Sequence, residues 1–203
     1  MRTLKEYLTE GNFFKNLGIG IRPQLEKWLK DNNIVDYKIN DDLTIDVDGY
    51  VDLSYYSDNE LPEYIQFNYV NHFNIENCKK LKSLRGCPKE CNVFDCSRCK
   101  KITSLEGCPE KCEKFKCYGC EGLTSLEGSP KECKKFECFS CDNLTSLKGA
   151  PEKCEYFNCV RCDNLTSLKG APKNCEEFCC FGCKGKFTEE DVKKVCNAKV
   201  LEV

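Results

Sequence analysis

From Leu81 onward the chain repeats itself every 21 residues without a slip. Five units follow one another: "LKSLRGCPKECNVFDCSRCKK", "ITSLEGCPEKCEKFKCYGCEG", "LTSLEGSPKECKKFECFSCDN", "LTSLKGAPEKCEYFNCVRCDN" and "LTSLKGAPKNCEEFCCFGCKG". Read from its proline, each unit is P-x-x-C-x-x-F-x-C-x-x-C-x-x-L-x-S-L-x-G-x, with Ile102 standing in once for leucine. A unit this short cannot close a core of its own. It buries its apolar face only by stacking on its neighbours, so the chain must build a solenoid.

The phase of the repeat tells which residues face inward. In the fourth unit Cys154, Phe157 and Cys159 take the strand-side apolar positions, Cys162 takes the corner, and Leu165 and Leu168 take the return limb. A degenerate unit precedes the regular ones. There Val70, Phe73, Ile75 and Cys78 fall on the strand side, Leu81 and Leu84 follow, and the single histidine, His72, points outward. The pattern resembles the short, proline-bearing leucine-rich repeats of secreted bacterial effectors. It is still more similar to the "LTSLxGxP…FxCxxN" arrays encoded by tailed phages. The likeness covers residues 60–185 and departs from the family twice: cysteine replaces aliphatic residues in the strand, and cysteine replaces the usual corner asparagine. The resemblance implies an α/β leucine-rich repeat solenoid of mostly short parallel strands. Degenerate units would occupy residues 43–80, and the five regular units residues 81–185.

The flanks read as caps, since an open solenoid end exposes core and edge. "PQLEKWLKDN", residues 23–32, is a helix with Pro23 in its first turn and Leu25, Trp28 and Leu29 on one face. It belongs to an N-terminal cap over residues 11–42. Alternating apolar and polar residues on either side of Asp48-Gly49 signal a hairpin there. Asp46, Asp48 and Asp52 have a calcium-like spacing, but the glycine is misplaced for an EF-hand loop, and turn chemistry accounts for them. Residues 186–203 form the C-terminal cap, with Thr188 as helix N-cap and a last short strand over Lys199 to Val203. "MRTLKEYLTEG" resembles the capsid-targeting leader of T-even-like phage head proteins, which is cut after (Leu/Ile)-x-Glu. Here that implies a cleavable leader over residues 1–10, processed at Leu8-Thr9-Glu10 with Gly11 as the new terminus. The same stretch also reads as an ordinary amphipathic helix, and Leu61-Pro62-Glu63 shows that the bare tripeptide arises by chance.

Twenty cysteines in 203 residues would normally indicate a disulfide scaffold. The N-terminus lacks a signal-peptide h-region, which favours a reducing cytosol and free thiols. Three readings compete. Cys96-x-x-Cys99 and Cys117-x-x-Cys120 have the spacing of a four-thiolate zinc site. The 21-residue period already explains that spacing, and pairing five rungs two by two leaves one over. Disulfides between equivalent positions on parallel strands about 4.8 Å apart are within reach, but the side chains point the same way. The residues favour the third reading, thiols as small buried hydrophobes beside the phenylalanine column, with corner thiols donating to loop carbonyls.

Net charge is −2, so no basic field points to nucleic acid. No apolar run approaches the roughly 20 residues of a membrane span. One histidine and no glycine-rich phosphate loop leave no nucleophile–base pair and no cofactor motif, so no enzyme is expected. A surface column remains: Ser97, Tyr118, Phe139, Val160 and Phe181, beside the polar column Asp95, Lys116, Glu137, Asn158 and Cys179. An apolar stripe of Tyr118, Phe139, Val160 and Phe181, rimmed by Lys116 and Glu137, has the composition of an interface core. Cross-strand stacking without a partner gives the same pattern. Together with the resemblance, this predicts a monomeric, non-enzymatic scaffold that binds a host or virion protein through its concave face. Its place would be the host cytoplasm or the virion interior. The competing expectation is a zinc-binding or redox cysteine array.

Overall fold

The computed structural model describes residues 20–203, so the expected processing site at Leu8, Glu10 and Gly11 lies outside the described residues. Helix α1 (Ile21–Asp31) leads into nine strands: β1 (Tyr37–Ile39), β2 (Ile45–Asp52), β3 (Phe67–Asn74), β4 (Glu90–Asp95), β5 (Lys111–Lys116), β6 (Glu132–Glu137), β7 (Tyr156–Asn158), β8 (Asn174–Cys179) and β9 (Asn197–Glu202). A one-turn helix, α2 (Glu189–Lys193), separates the last two strands. The strands form a single sheet in chain order. β1 pairs with β2 antiparallel, and every later pairing is parallel. The fold is a β-solenoid, one rung per repeat.

Its interior is a set of columns. Phe73, Phe94, Phe115, Phe136, Phe157 and Phe178 stack ring on ring, with centroids 5.1 to 5.7 Å apart. The in-register parallel ladder imposes this, because Cα partners such as Phe115↔Phe136 and Phe136↔Phe157 lie one strand spacing apart. The leucine columns of the return limb close the other side, with Leu84, Leu105, Leu126 and Leu147 wholly buried. Strict alternation would not bury both Cys175 and Phe178, which stand three apart. A local bulge allows it: the amides of Glu176 and Glu177 both donate to the Glu155 carbonyl at 2.9 Å, leaving two successive residues outside.

The degenerate unit takes the expected phase. Val70, Phe73, Ile75, Cys78, Leu81 and Leu84 are buried, and His72 is exposed. The hairpin expected at Asp48-Gly49 does not form. β2 runs straight through that pair, with a register irregularity between Val47 and Tyr50 against β3. Glycine here marks a bulge in one strand rather than a reversal between two. The antiparallel turn lies earlier, between β1 and β2, where Leu43 has φ 65° and Asp42 accepts from the Thr44 amide and hydroxyl.

At the ends, α1 lays Leu25, Trp28 and Leu29 into the core, and the Trp28 ring meets Tyr56 and Phe67 at 6.3 and 6.4 Å. Thr188 caps α2 reciprocally with Asp191. β9 continues the ladder, with Phe178 opposite Leu201. Among the described residues no helix is long and apolar enough to cross a membrane.

Candidate interaction surface

The backbone ladder does not stop where the strands end. The amides of Cys96, Cys117, Cys138 and Cys159 donate to the carbonyls of Lys116, Glu137, Asn158 and Cys179 at 2.8 to 2.9 Å. Two residues later the chain turns through a left-handed residue in each rung: Arg98, Gly119, Ser140, Arg161 and Gly182, with φ between 52° and 72°. Those turn amides donate in their turn: Arg98 to Tyr118, Gly119 to Phe139, Ser140 to Val160 and Arg161 to Phe181, at 2.8 to 3.0 Å. The Ser97–Tyr118–Phe139–Val160–Phe181 column therefore sits in the turn that closes each strand, not on the strand face. Both its backbone neighbours are fixed by hydrogen bonds to the adjacent rung.

Exposure along the column is uneven. Ser97 is fully buried, Tyr118 and Phe139 are half-buried, Val160 is 8 % exposed and Phe181 is 42 % exposed. The rings of Tyr118 and Phe139 lie parallel, 4.6 Å apart and 5° from coplanar. Arg98 covers the far side of Tyr118 at 5.4 Å and pairs with Glu76 at 2.8 Å; Glu76 also accepts from the Tyr118 hydroxyl at 3.3 Å. The flanking charges belong to the strands. Lys116 pairs with Asp95 at 3.1 Å, and Glu137 with Lys114 at 2.8 Å. The structure thus joins Tyr118 and Phe139 into one aromatic unit, leaves Phe181 open, and withdraws Val160 between them.

The thiols divide by column. All twenty are free. The corner thiols donate to the carbonyl of the inner-column residue one rung earlier: Cys99 to Ile75 at 3.0 Å, Cys120 to Cys96 at 3.2 Å, Cys141 to Cys117 at 3.1 Å, Cys162 to Cys138 at 3.3 Å and Cys183 to Cys159 at 3.1 Å. The inner column of Cys96, Cys117, Cys138 and Cys159 is 0 % exposed, and burial pushes these thiols well above their ordinary value.

Cys96, Cys99, Cys117 and Cys120 are accordingly not gathered into one metal site. Among the described residues the only group of three or more candidate ligands within 4.8 Å of one another is Glu177, Cys179 and Glu202. One feature of the repeat marks it: Cys179 interrupts an otherwise polar column. Its thiol donates to Glu177 at 3.6 Å, and burial followed by the nearby Glu202 carboxylate pushes it up to about 12, so it stays protonated. Comparison with protein-family models, curated proteins and solved structures returns no match.

Proposed function

We propose that this protein is a non-enzymatic scaffold of the leucine-rich repeat type that holds a partner protein against the aromatic row at the strand-to-turn edge. The observation that carries the reading is the row itself. Tyr118 and Phe139 form a preordered aromatic pair, and Phe181 stands 42 % exposed in the same column. Large aromatic side chains held rigid by backbone bonds lose little entropy on binding, which suits them as anchors. The matched ion pairs at Lys116 and Glu137 make a polar rim. The leucine-rich repeat reading is supported by the buried phenylalanine and leucine columns. It is also supported by corner thiols that bond a neighbouring rung from the position where such repeats carry Asn or Cys.

The partner is a host or virion protein that presents an apolar side chain to Phe181. A phage origin, with packaging in the head and action in the host cytoplasm, rests on the repeat resemblance and on the leader-like Leu8-Thr9-Glu10-Gly11 segment. The test is affinity capture from host lysate with the wild type and Phe181→Ala in parallel, followed by measured affinities for whatever is retained. A partner that binds both proteins equally overturns the reading.

A further inference from the structure

The outer face of the sheet matches its charges in pairs until the last two rungs. Lys116 is held by Asp95, and Glu137 by Lys114. Further along, Glu177 and Glu202 enter no ion pair among the described residues, and Lys199, the lysine on β9, is taken by Glu176 at 2.7 Å. The ladder brings these two carboxylates to Cys179. Glu177 and Cys179 stand two apart on β8 and share a face, and Glu202 on β9 is the Cα partner of Cys179. One ligand atom from each of the three lies within 4.8 Å of the other two. Tyr156, the Cα partner of Glu177 one rung back, bounds the cluster, its hydroxyl accepting from Asn158 at 2.9 Å.

Cys179 separates this cluster from a patch of surface acids, because its side chain is only 1 % exposed. Other thiols are committed to backbone carbonyls, as Cys141 is to Cys117 at the corner and Cys133 and Cys175 are to Lys135 and Glu177 on the strands. The Cys179 thiol donates to no backbone carbonyl among the described residues. It points at the Glu177 carboxylate, 3.6 Å away.

We propose that Glu177, Cys179 and Glu202 form a zinc site, holding one ion through one thiolate and two carboxylates with the fourth position open to solvent. Tetrahedral zinc with sulfur at about 2.3 Å and oxygen at about 2.1 Å places those two ligand atoms about 3.6 Å apart. That is the separation already present between Cys179 and Glu177. Two carboxylate oxygens on the same ion stand about 3.4 Å apart, and the exposed Glu202 side chain can swing to that distance without movement of the strands. Calcium and magnesium take six or more oxygen ligands and gain nothing from sulfur, whereas a mixed thiolate and carboxylate set suits zinc. Binding releases the Cys179 proton, since a coordinating thiol is deprotonated outright. The ion's two positive charges then meet the negative charges that no lysine matches here, and they tie β9 to β8.

The test is zinc titration of the reduced full chain, read by native mass spectrometry, with cobalt(II) as a coloured substitute. The wild type should hold one zinc ion that Cys179→Asn loses, and its cobalt form should show a thiolate-to-cobalt charge-transfer band that Cys179→Asn lacks. Asparagine is what the preceding rung carries at the partner position, Asn158, so the column accepts that side chain. Glu202→Gln changes only an exposed side-chain end and keeps the backbone bond from the Cys180 amide to its carbonyl, so folding is not at stake. It should weaken zinc binding by at least about tenfold, the lower end of what losing even an outer partner costs a metal site. Glu176→Gln, a neighbour outside the cluster, should leave zinc binding unchanged. No zinc on the folded wild type, an undiminished band in Cys179→Asn, equal affinity of wild type and Glu202→Gln, or calcium binding there as well as zinc would each overturn the proposal.

Discussion

The thiol of Cys141 donates to the carbonyl of Cys117 at 3.1 Å, one rung away, and this bond recurs at every corner of the regular repeat. Cys138, three residues earlier, is fully buried in the apolar core instead. The two positions should therefore rank the same substitutions in opposite order. Cys141→Ala leaves a buried carbonyl without its donor, at about 1–3 kcal/mol, and Cys141→Ser should cost less because it keeps a donor. Cys138→Ser buries a hydroxyl in an apolar site, at about 1–3 kcal/mol, and Cys138→Ala leaves only a small cavity and should cost less. Urea midpoints of the four variants under reducing conditions check the crossing. A common order at both positions would remove the distinction between corner and core thiols.

Alkaline pH should unfold this protein more readily than its carboxylates would suggest. Burial holds Cys96, Cys117, Cys138 and Cys159 well above the ordinary thiol value in the folded state. Their stabilising contribution is fully present below the unfolded-state pKa, about 8.5, where both states carry the proton. Above it the unfolded chain releases protons that the folded chain retains, so stability falls as pH rises. Each such thiol adds a slope of up to about 1.4 kcal/mol per pH unit. Urea melts between pH 7 and pH values above about 9 should show the loss. Cys138→Ala should make the slope shallower.

Backbone sign supplies another pair of opposed outcomes. Ser140 holds φ 54° in a turn where the second and fifth units place Gly119 and Gly182. Ser140→Gly should stabilise by up to about 1 kcal/mol, because a left-handed conformation strains a residue with Cβ. Gly149 has φ 92°, and a Cβ there would stand 2.6 Å from the Glu127 backbone. Gly149→Ala should destabilise by more than about 2 kcal/mol. Thermal denaturation of both variants tests the pair.

These cases show where the sequence was legible. A period of 21 residues with unbroken phase was enough to bury Phe136, Leu144 and Cys138 and to leave His72 outside, because stacked rungs repeat one environment. The role of Gly49 is not legible in the sequence, because glycine after aspartate serves a bulge as well as a hairpin, and only the pairing partner separates the two. That the aromatic column lies in a turn is not legible in the sequence, because the left-handed position beside it is Arg98 and Arg161 in two of the rungs, residues with no turn signature of their own.

Phe139 and Phe181 share a column but should answer different questions. Phe139 stacks on Tyr118 at 4.6 Å, so Phe139→Ala removes an intramolecular aromatic pair worth about 0.5–1.5 kcal/mol beyond its area. That variant should melt lower whether or not a partner exists. Phe181 is 42 % exposed. Phe181→Ala should change stability by no more than about 0.5 kcal/mol. As an interface anchor, however, it should weaken partner binding by at least about tenfold, one decade being about 1.4 kcal/mol. Charge reversal at Glu137 should act mainly on association rate and its salt dependence, as rim charges do. The measurement is stability and affinity on the same four proteins: wild type, Phe139→Ala, Phe181→Ala and Glu137→Lys. If Phe139→Ala melts lower while all four bind the captured partner alike, the aromatic row only ties the rungs together and the scaffold reading fails.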